Sequence, residues 1–331
     1  MTDLKLASRR QFIATAGGAA ALAAWGSPAF AQAAFPSKTL TFVVPYPAGG
    51  ANDMLGRLIG QKMADALGGS AIIDNKPGAG AMLGASAVAR AQADGHTLLI
   101  GGLATHAASP HMLKADYDPL KDFEPVGMIG SAPIIAITFN ESPFKTLKEV
   151  VDAARKDPKG VMYGSSGNGS PLHLAGELFV SQTKVDMTHV PYKGGNAHIM
   201  DLMGGRVPVI FDTATNCMPL LKSGKVRALA VGTSARLADL PNVPTFAEAG
   251  FPQFDFAAWY AVFAPAKTPK DVVAKLSAAL GTALKNADVI AKLNGVGVAV
   301  GTGEAAQLAR FLPGENERIG RLIKAANIKP D

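Results

Sequence analysis

Two loops of closely related composition are the parts of this sequence best suited to bind a ligand. The first reads VPYPAGGAND at residues 44–53, and the second reads VPYKGGNA at residues 190–197. In each, a Pro-Tyr pair ends an apolar strand-like run, a Gly pair follows, and an Asn stands near the start of a helix-like run. Glycine allows the backbone to turn tightly and approach a ligand closely, and a helix N-terminus offers free N–H groups and a positive dipole end. Each loop is therefore predicted to bind a carboxylate, phosphate or sulfate, and together they predict a cleft that holds one acid from both sides.

The elements around these loops follow an α/β pattern, because short apolar runs alternate with amphipathic stretches. Strands are predicted at residues 39–44, 71–74, 97–101, 126–139, 161–164, 187–190, 207–212, 226–231 and 256–263. Helices are predicted at residues 54–67, 145–156, 170–182, 196–203, 270–285 and 287–293, with a small-residue helix that ends at residue 91 and a final helix from about residue 304 that breaks at residues 313–314. In the first of these helices one apolar face is predicted, formed by Leu55, Leu58, Ile59, Met63, Ala66 and Leu67.

Two apolar runs are longer than a single strand requires, and both are predicted to cross between domains. The first is residues 126–139, with Pro133 in its middle, and the second is residues 256–263. The segments after Pro269 are mostly helical and are predicted to pack back on the first domain. The predicted fold is therefore α/β with two lobes, joined by crossover strands and closing on a ligand in the cleft between them. The predicted boundaries are residues 32–134 with 260–331 for lobe 1, and residues 135–259 for lobe 2.

Four loops at predicted strand ends are candidate binding segments, because open α/β sheets bind ligands at the carboxyl ends of their strands. Besides the two related loops, they are GGLATH at residues 101–106, which contains Ala104 and Thr105, and YGSSGNGSP at residues 163–171. Turns that bind no ligand have the same composition. The position of all four loops at strand ends is therefore stronger evidence for a binding site than the composition of any one loop.

Several single residues allow two interpretations. Tyr46 and Tyr192 either pack with their hydroxyls satisfied or contact the ligand, whereas Trp259 and Tyr260 are best explained as packing in the return strand. Lys193 is either solvated or part of the site. Asp53 either caps its own helix or contacts the ligand. Asp212 either orients a neighbouring loop or binds an amino or hydroxyl group of the ligand.

The first 31 residues are predicted to be an export signal that is cleaved after Ala31. Arg9 and Arg10 precede an Ala/Gly-rich apolar stretch, and residues 29–31 (AFA) match a small-x-small cleavage site. The arginine pair is typical of a twin-arginine signal, with an ordinary secretory signal as the alternative. At roughly 15 residues the apolar stretch is too short to span a bilayer.

Composition excludes several other classes of protein. Removing the signal lowers the net charge from +6 to +4, and no basic cluster with interleaved aromatic residues suggests nucleic acid as a partner. A single cysteine, Cys217, excludes an intrachain disulfide and is predicted to be a buried small hydrophobic residue. Residues 164–168 (GSSGN) do not match the last position of the nucleophile-elbow motif. Residues 78–83 (GAGAML) do not match the last position of the dinucleotide-binding motif. No catalytic residue, metal or cofactor is therefore predicted.

Five motifs in order make this chain similar to the Bug family, the periplasmic solute receptors of tripartite tricarboxylate transporters. They are VPYPAGG (44–50), YDPLKDF (117–123), GSSGNGSP (164–171) followed by HLAGE (173–177), VPYKGG (190–195) and FAPAKTP (263–269). The resemblance covers essentially the whole mature chain and implies a two-lobed periplasmic binding protein of type II. It implies that one carboxylate is bound by Tyr46, Ala48, Gly49, Gly50 and Asp53, and the far end of the ligand by Ser165, Ser166, Lys193, Gly194, Gly195 and Asp212. Residues 213–219 (TATNCMP) depart from the pattern of many relatives, so specificity at that end is the least transferable feature.

The function that the resemblance implies is capture of a small carboxylate, either a dicarboxylate or an aromatic acid, by lobe closure. The expected partners are the subunits of a tripartite tricarboxylate-type membrane transporter, the expected state is a monomer, and the expected location is the periplasm. The alternatives are a binding protein that signals to a sensor and an exported hydrolase.

Overall fold

A mixed β-sheet of ten strands organises the computed structural model, which describes residues 35–193, 196–254, 256–325 and 327–328. The strands are β1 (Leu40–Val44), β2 (Ala71–Asn75), β3 (Thr97–Gly102), β4 (Phe123–Phe139), β5 (Met162–Ser165), β6 (Thr188–Pro191), β7 (Val209–Thr213), β8 (Val226–Val231), β9 (Ala257–Pro265) and β10 (Ala299–Val300). The helices are α1 (Ala51–Ala66), α2 (Met82–Ala89), α3 (Ser109–Met112), α4 (Leu147–Lys156), α5 (Pro171–Thr183), α6 (Ala197–Met203), α7 (Ala214–Lys222), α8 (Lys270–Lys285), α9 (Ala287–Gly295) and α10 (Ala305–Ala325). The predicted export signal lies outside the described residues.

The first strand group consists of β2, β1 and β3, which pair in parallel, followed by β9 antiparallel to β3. Helix α1 covers this group with Leu55, Ile59 and Met63 fully buried. Gly56 and Gly60 lie on the same side, and a Cβ at Gly56 would stand 2.6 Å from a methyl group of Val44. The glycines thus let α1 lie directly against β1. The predicted apolar face is correct for these three buried residues, whereas Ala66 is exposed.

The second strand group consists of β6, β5 and β7, which pair in parallel, with β7 and β8 both antiparallel to the end of β4. Strand β7 is buried along its whole length, whereas β6 is only partly buried and ends in an exposed residue. Among β5, β6 and β7, only β7 is therefore buried at every residue.

Strand β4 belongs to both groups, as the long apolar run predicted. Its residues from Phe123 to Pro133 pair with β9, and from Ile134 onward it pairs with β7 and β8. Pro133 lies where the partners change, a position at which the missing N–H of proline is tolerated.

The C-terminal segments pack on the first strand group. Gly301 N–H donates to the carbonyl of Ile129, and β10 pairs with β4. The predicted break in the final helix is wrong, because α10 continues through Pro313. A proline inside a helix costs about 3 kcal/mol, and burial of Leu308, Leu312 and Ile319 on one face offsets that cost. Within the described chain, no helix is both long enough and apolar enough to cross a membrane.

Candidate functional site

A cavity lies at the carboxyl ends of β1, β3 and β7 and beside β9, with about 670 Å³ of empty space when the adjoining open solvent is included. It is lined by Tyr46, Pro47, Gly50, Ala51, Asn52, Gly102, Leu103, Ala104, Ser166, Pro171, Leu172, Asn196, Thr213, Asn216, Ala258, Trp259 and Tyr260. This set, here called the cleft cavity, joins residues from both strand groups and contains no charged side chain. Any ionic ligand in it must therefore be held by dipoles and hydrogen bonds rather than by direct ion pairs with lining residues.

The wall contributed by the first strand group contains the N-terminus of α1. Gly49 adopts φ +88°, a backbone conformation that favours glycine, and Gly50 is the N-cap with no side chain capping the helix. The first N–H groups of a helix have no partner within it. Gly50, Ala51 and Asn52 all line the cavity, so this uncapped positive end is available to an anion.

Asp53 lies behind this loop and fixes its shape. The carboxylate is buried and accepts hydrogen bonds from the backbone N–H of Gly49 at 3.0 Å, from the side chain of Asn75 at 3.0 Å and from the guanidinium of Arg57 at 3.1 Å. Burial opposes ionisation, but the hydrogen bonds from Arg57, Gly49 and Asn75 together lower the pKa of Asp53 below its usual value. Asn75 also donates to the carbonyl of Tyr46 at 3.0 Å. Asp53 therefore positions the loop and does not line the cavity.

The wall contributed by the second strand group contains the starts of α5 and α7. Helix α5 has Pro171 in its first turn and is capped by Ser170, whose hydroxyl accepts the N–H of His173 at 3.2 Å. Helix α7 starts directly after β7, and its N-cap, Thr213, makes no capping bond with its side chain. Helix α7 was not predicted from the sequence, yet its first turn supplies Thr213 and Asn216 to the cavity.

Asp212 lies fully buried behind Thr213 and Asn216. Its Oδ1 accepts the Thr213 backbone N–H at 2.6 Å and the Asn216 side-chain amide at 3.0 Å, and its Oδ2 lies 2.7 Å from Nε2 of buried His198. The carboxylate thus ties β7, α6 and α7 together from behind the wall.

Aromatic residues form the base of the cavity. Tyr260 and Trp259 are adjacent on β9, both nearly fully buried, and no described residue hydrogen-bonds the buried indole N–H of Trp259. Burial raises the pKa of Tyr260 to about 12, against the opposing effect of the neighbouring Thr215 and Thr213 hydroxyls. Burial also raises the pKa of Tyr46. Both phenols therefore keep their protons at neutral pH.

A second cavity adjoins the first and shares Tyr46, Pro47 and Ser166 with it. Tyr192 and Lys193 of the second related loop line this neighbouring space. The Tyr192 hydroxyl donates to Asp201 at 2.7 Å, and Lys193 is exposed to solvent. Gly194 and Gly195 lie outside the described residues.

The comparisons with known proteins decide the family. The family model described as "Tripartite tricarboxylate transporter family receptor" matches residues 55–328. The chain belongs to this family. The receptor is 30% identical to Protein BugT of Bordetella pertussis over 96% of each chain, which confirms the resemblance to the Bug family.

Solved structures give the same result for the fold. An R. palustris protein solved with adipate is 36% identical and superposes with a TM-score of 0.85, covering 90% of the receptor and all of that chain. MatC from Rhodopseudomonas palustris, solved with bound malate, is 36% identical with a TM-score of 0.83, covering 87% of the receptor and all of that chain. The receptor thus has the two-lobed fold of the periplasmic binding proteins and a solute-binding rather than an enzymatic role.

Four of the residues predicted to bind ligand line the cleft cavity of the receptor: Tyr46, Gly50, Ala104 and Ser166. Lys193 lines the neighbouring cavity. Six others line neither of these two cavities: Ala48, Gly49, Asp53, Thr105, Ser165 and Asp212.

The buried hydroxyls among these six are engaged within the protein. The Thr105 hydroxyl bonds the carbonyl of Gly102 and Nδ1 of His106, and the Ser165 hydroxyl lies 2.7 Å from Nε2 of His189. They stabilise the turns that carry the lining residues.

Several polar and aromatic lining residues were not predicted to bind ligand, namely Asn52, Asn196, Thr213, Asn216, Trp259 and Tyr260. Thr213 and Asn216 follow a predicted strand directly, and this position at a strand end is the signal that would have found them. Trp259 and Tyr260 are part of β9, as predicted, and also reach the cavity.

Proposed function

We propose that this receptor binds a small carboxylate between two lobes, residues 32–134 with 260–331 and residues 135–259, and delivers it to a tripartite tricarboxylate-type membrane transporter. The observation that carries this proposal is the uncapped N-terminus of α1 on the wall of a cavity without charged side chains. Such a helix end carries roughly half a positive charge and favours anions.

The composition of the cavity supports a monoanionic group at this end. Backbone N–H groups at a helix start are fixed in direction, so they bind a carboxylate without the entropy cost of ordering a lysine or arginine side chain. Protonated Tyr46 adds a neutral donor at the same loop. The remainder of the ligand would lie against Trp259 and Tyr260.

The ligands of related proteins support the same class. The two R. palustris structures contain adipate and malate, both small dicarboxylates. The aromatic base of the cavity also suits an aromatic acid, so the proposed class is a small organic acid with one carboxylate at α1.

Closure of the lobes is proposed to follow from contacts that both walls make to one ligand. A ligand shifts a conformational equilibrium only by its difference in affinity for the two states, and Gly50 and Asn216 reach the ligand together only when the walls face each other. The two strand groups also approach near Gly169, where a Cβ would stand 3.7 Å from both Ser109 Oγ and Met112 Sδ.

Export is proposed to remove residues 1–31 through the twin-arginine route and to release the mature receptor as a monomer. The family is periplasmic, which supports export. Intact-mass measurement of receptor from the periplasm of its natural host would give a chain that starts at Gln32 if the proposed site is correct, and a different start would refute that site.

A ligand screen tests the function. Thermal unfolding of the mature receptor is measured with aliphatic dicarboxylates, aromatic acids and amino acids, because a ligand that binds only the folded state raises the midpoint. We expect at least one carboxylate to raise the midpoint and to change the fluorescence of Trp259, the one tryptophan after residue 31. No response to any carboxylate would refute the proposed ligand class.

Delivery to a transporter needs a separate test. Uptake of the identified acid is compared between the host and a strain that lacks this receptor. Loss of uptake is expected, and unchanged uptake would favour the sensing role instead.

A further inference from the structure

The two walls of the cleft cavity differ in hydrogen-bonding character. The wall at α1 presents backbone N–H donors at Gly50, Ala51 and Asn52. The wall at α7 has the buried carboxylate of Asp212 directly behind it, which accepts the backbone N–H of the N-cap residue, Thr213, at 2.6 Å. A buried carboxylate thus lies near each helix start, Asp53 in α1 and Asp212 before α7. Asp212 bonds the lining residues Thr213 and Asn216, whereas Asp53 bonds Gly49, Asn75 and Arg57, none of which lines the cavity.

The orientation of the Asn216 amide follows from the same carboxylate. Both oxygens of Asp212 act as acceptors, toward Thr213 N–H, the Asn216 side chain and His198 Nε2. Turning the Asn216 amide over would place its carbonyl oxygen against a carboxylate oxygen at about 3 Å, a contact between two acceptors. The Asn216 side chain therefore directs its Nδ2, and not its Oδ1, toward Asp212.

This orientation leaves the amide oxygen of Asn216 as the group available to a ligand. Asn216 is partly exposed and lines the cavity, and within the described part of the chain no hydrogen bond reaches its Oδ1. The neighbouring Thr213 hydroxyl directs its hydrogen toward Asp212 at 3.4 Å and also bonds the Tyr260 hydroxyl, so one lone pair of its oxygen remains. The α7 wall thus presents acceptors, with a buried negative charge behind them.

We infer that the acid bound by this receptor carries a hydrogen-bond donor, a hydroxyl or an ammonium group, that Asn216 Oδ1 and Thr213 Oγ1 accept. The inference rests on the proposed function and narrows its ligand class from small organic acids to hydroxy or amino acids. An unsubstituted diacid would meet acceptors at this wall and displace water from them without supplying a donor, which weakens binding.

Matched ligand series test the inference. Titration calorimetry on the mature receptor compares succinate with malate and aspartate, glutarate with 2-hydroxyglutarate and glutamate, and phenylacetate with mandelate and phenylglycine. Within a series the carbon skeleton is constant and only the donor changes. We expect the hydroxyl or ammonium member of the best-bound series to bind at least about tenfold more tightly than the unsubstituted acid. This affinity ratio corresponds to one charge-assisted or well-placed hydrogen bond. The two substituted members distinguish a hydroxyl from an ammonium ligand.

Two variants assign the preference to the α7 wall. Asn216→Leu removes the acceptor and should reduce the tenfold ratio to about threefold or less, and Thr213→Val should reduce it in the same direction. Asn52→Leu makes the same change on the opposite wall and should retain the ratio, whatever its effect on overall affinity. If the first two variants fail to fold, the affinity ratio measured on the unmodified receptor still decides whether the receptor prefers an acid with a hydrogen-bond donor.

Failure of this inference is distinct from failure of the proposed function. Equal or tighter binding of the unsubstituted acids overturns the inference and leaves carboxylate binding intact, and so does a preference that survives both α7-wall variants when they fold. Absence of binding by every acid in the three series overturns both.

Discussion

The two loops that share a sequence pattern have different roles in the structure. The first, after β1, leads into the 16-residue helix α1 and brings its uncapped N-terminus to the cleft cavity. The second, after β6, leads into the seven-residue helix α6, with Tyr192 bonded to Asp201 and Lys193 exposed. On that side the second loop contributes Asn196 to the cavity wall, which is otherwise built by the starts of α5 and α7, the latter after the fully buried strand β7.

The difference follows from burial rather than from the loop sequence. A binding wall needs a strand end that the surrounding core fixes in place, and β7 is buried at every residue whereas β6 is not. Equivalent loop sequences therefore do not predict equivalent positions in a site.

The largest expected effect comes from adding a negative charge to the first loop. Gly50→Asp has room, since the nearest atom to a Cβ there is the Pro47 carbonyl oxygen at 4.0 Å, but its carboxylate would repel the ligand at α1. We expect affinity for the cognate acid to fall by about 100-fold or more, consistent with like charges a few ångströms apart.

Matched substitutions distinguish charge from shape at the two loops. Gly50→Asn adds a similar side chain without charge and should cost about tenfold or less, because a neutral N-cap competes for the same N–H groups. Lys193→Glu changes charge in the second loop and should cost less than Gly50→Asp. Equal losses for Gly50→Asp and Lys193→Glu would mean that both loops bind the carboxylate.

The next effect concerns pH and the turn that supports the first wall. His106, in the π-helical turn Ala104–Ala108, is fully buried and stacked on Phe263, and burial lowers its pKa to about 3. The unfolded chain takes up this proton near pH 6.5 and the folded receptor does not, so stability is complete above that pH and decreases as pH falls toward 3. The slope should reach at most about 1.4 kcal/mol per pH unit from this group.

Denaturant unfolding at pH 7 and pH 5 measures this contribution. His106→Gln should make the free energy of unfolding less dependent on pH over that interval, although the variant is less stable at pH 7. An unchanged pH dependence would show that other groups account for it.

A smaller effect is expected when the support of the first loop is removed. Asp53→Ala leaves Gly49 N–H without its acceptor and removes one of the two acceptors of the Asn75 amide, and we expect the free energy of unfolding to fall by about 1–3 kcal/mol. Affinity should fall by about tenfold as the loop loses its shape. Asp201→Ala removes the corresponding partner of Tyr192 in the second loop and should change affinity by less than about threefold. Similar losses for both variants would contradict the unequal roles of the loops.

The smallest effect distinguishes the two equivalent tyrosines. Tyr46→Phe removes a donor that lines the cavity and should weaken binding by about fivefold, the value of one hydrogen bond. Tyr192→Phe removes a hydroxyl already bonded to Asp201, so calorimetry should show little change. A greater loss for Tyr192→Phe would reverse the assignment of the walls.

Much of the fold follows from local sequence, because strand and helix patterns are local. Residues 126–139 were long enough to predict a crossing strand, and Pro133 lies where β4 changes partners. The start of α5 could likewise be predicted from Ser170 and Pro171. By contrast α7 has Pro219 inside it, and burial of Cys217 and Met218 against the core supports a helix there. Cys217 is buried, as predicted.

The site was predictable only in part, because it depends on which strand ends the core fixes. The first loop could be identified from its Gly pair, but the role of Asp53 depends on Asn75 and Arg57, which converge on it only in the folded protein. Similarly, Asn216 becomes informative only once Asp212 is known to lie beside its amide nitrogen.

A crystal structure of the mature receptor with its cognate acid tests the central claim most directly. The account predicts a ligand carboxylate at the N-terminus of α1, with oxygens about 2.7–3.2 Å from the N–H groups of Gly50, Ala51 or Asn52, or bridged to them by one water. The opposite end of the ligand should face Thr213 and Asn216. A carboxylate bound instead at Lys193, with the α1 terminus left to solvent, would contradict the account.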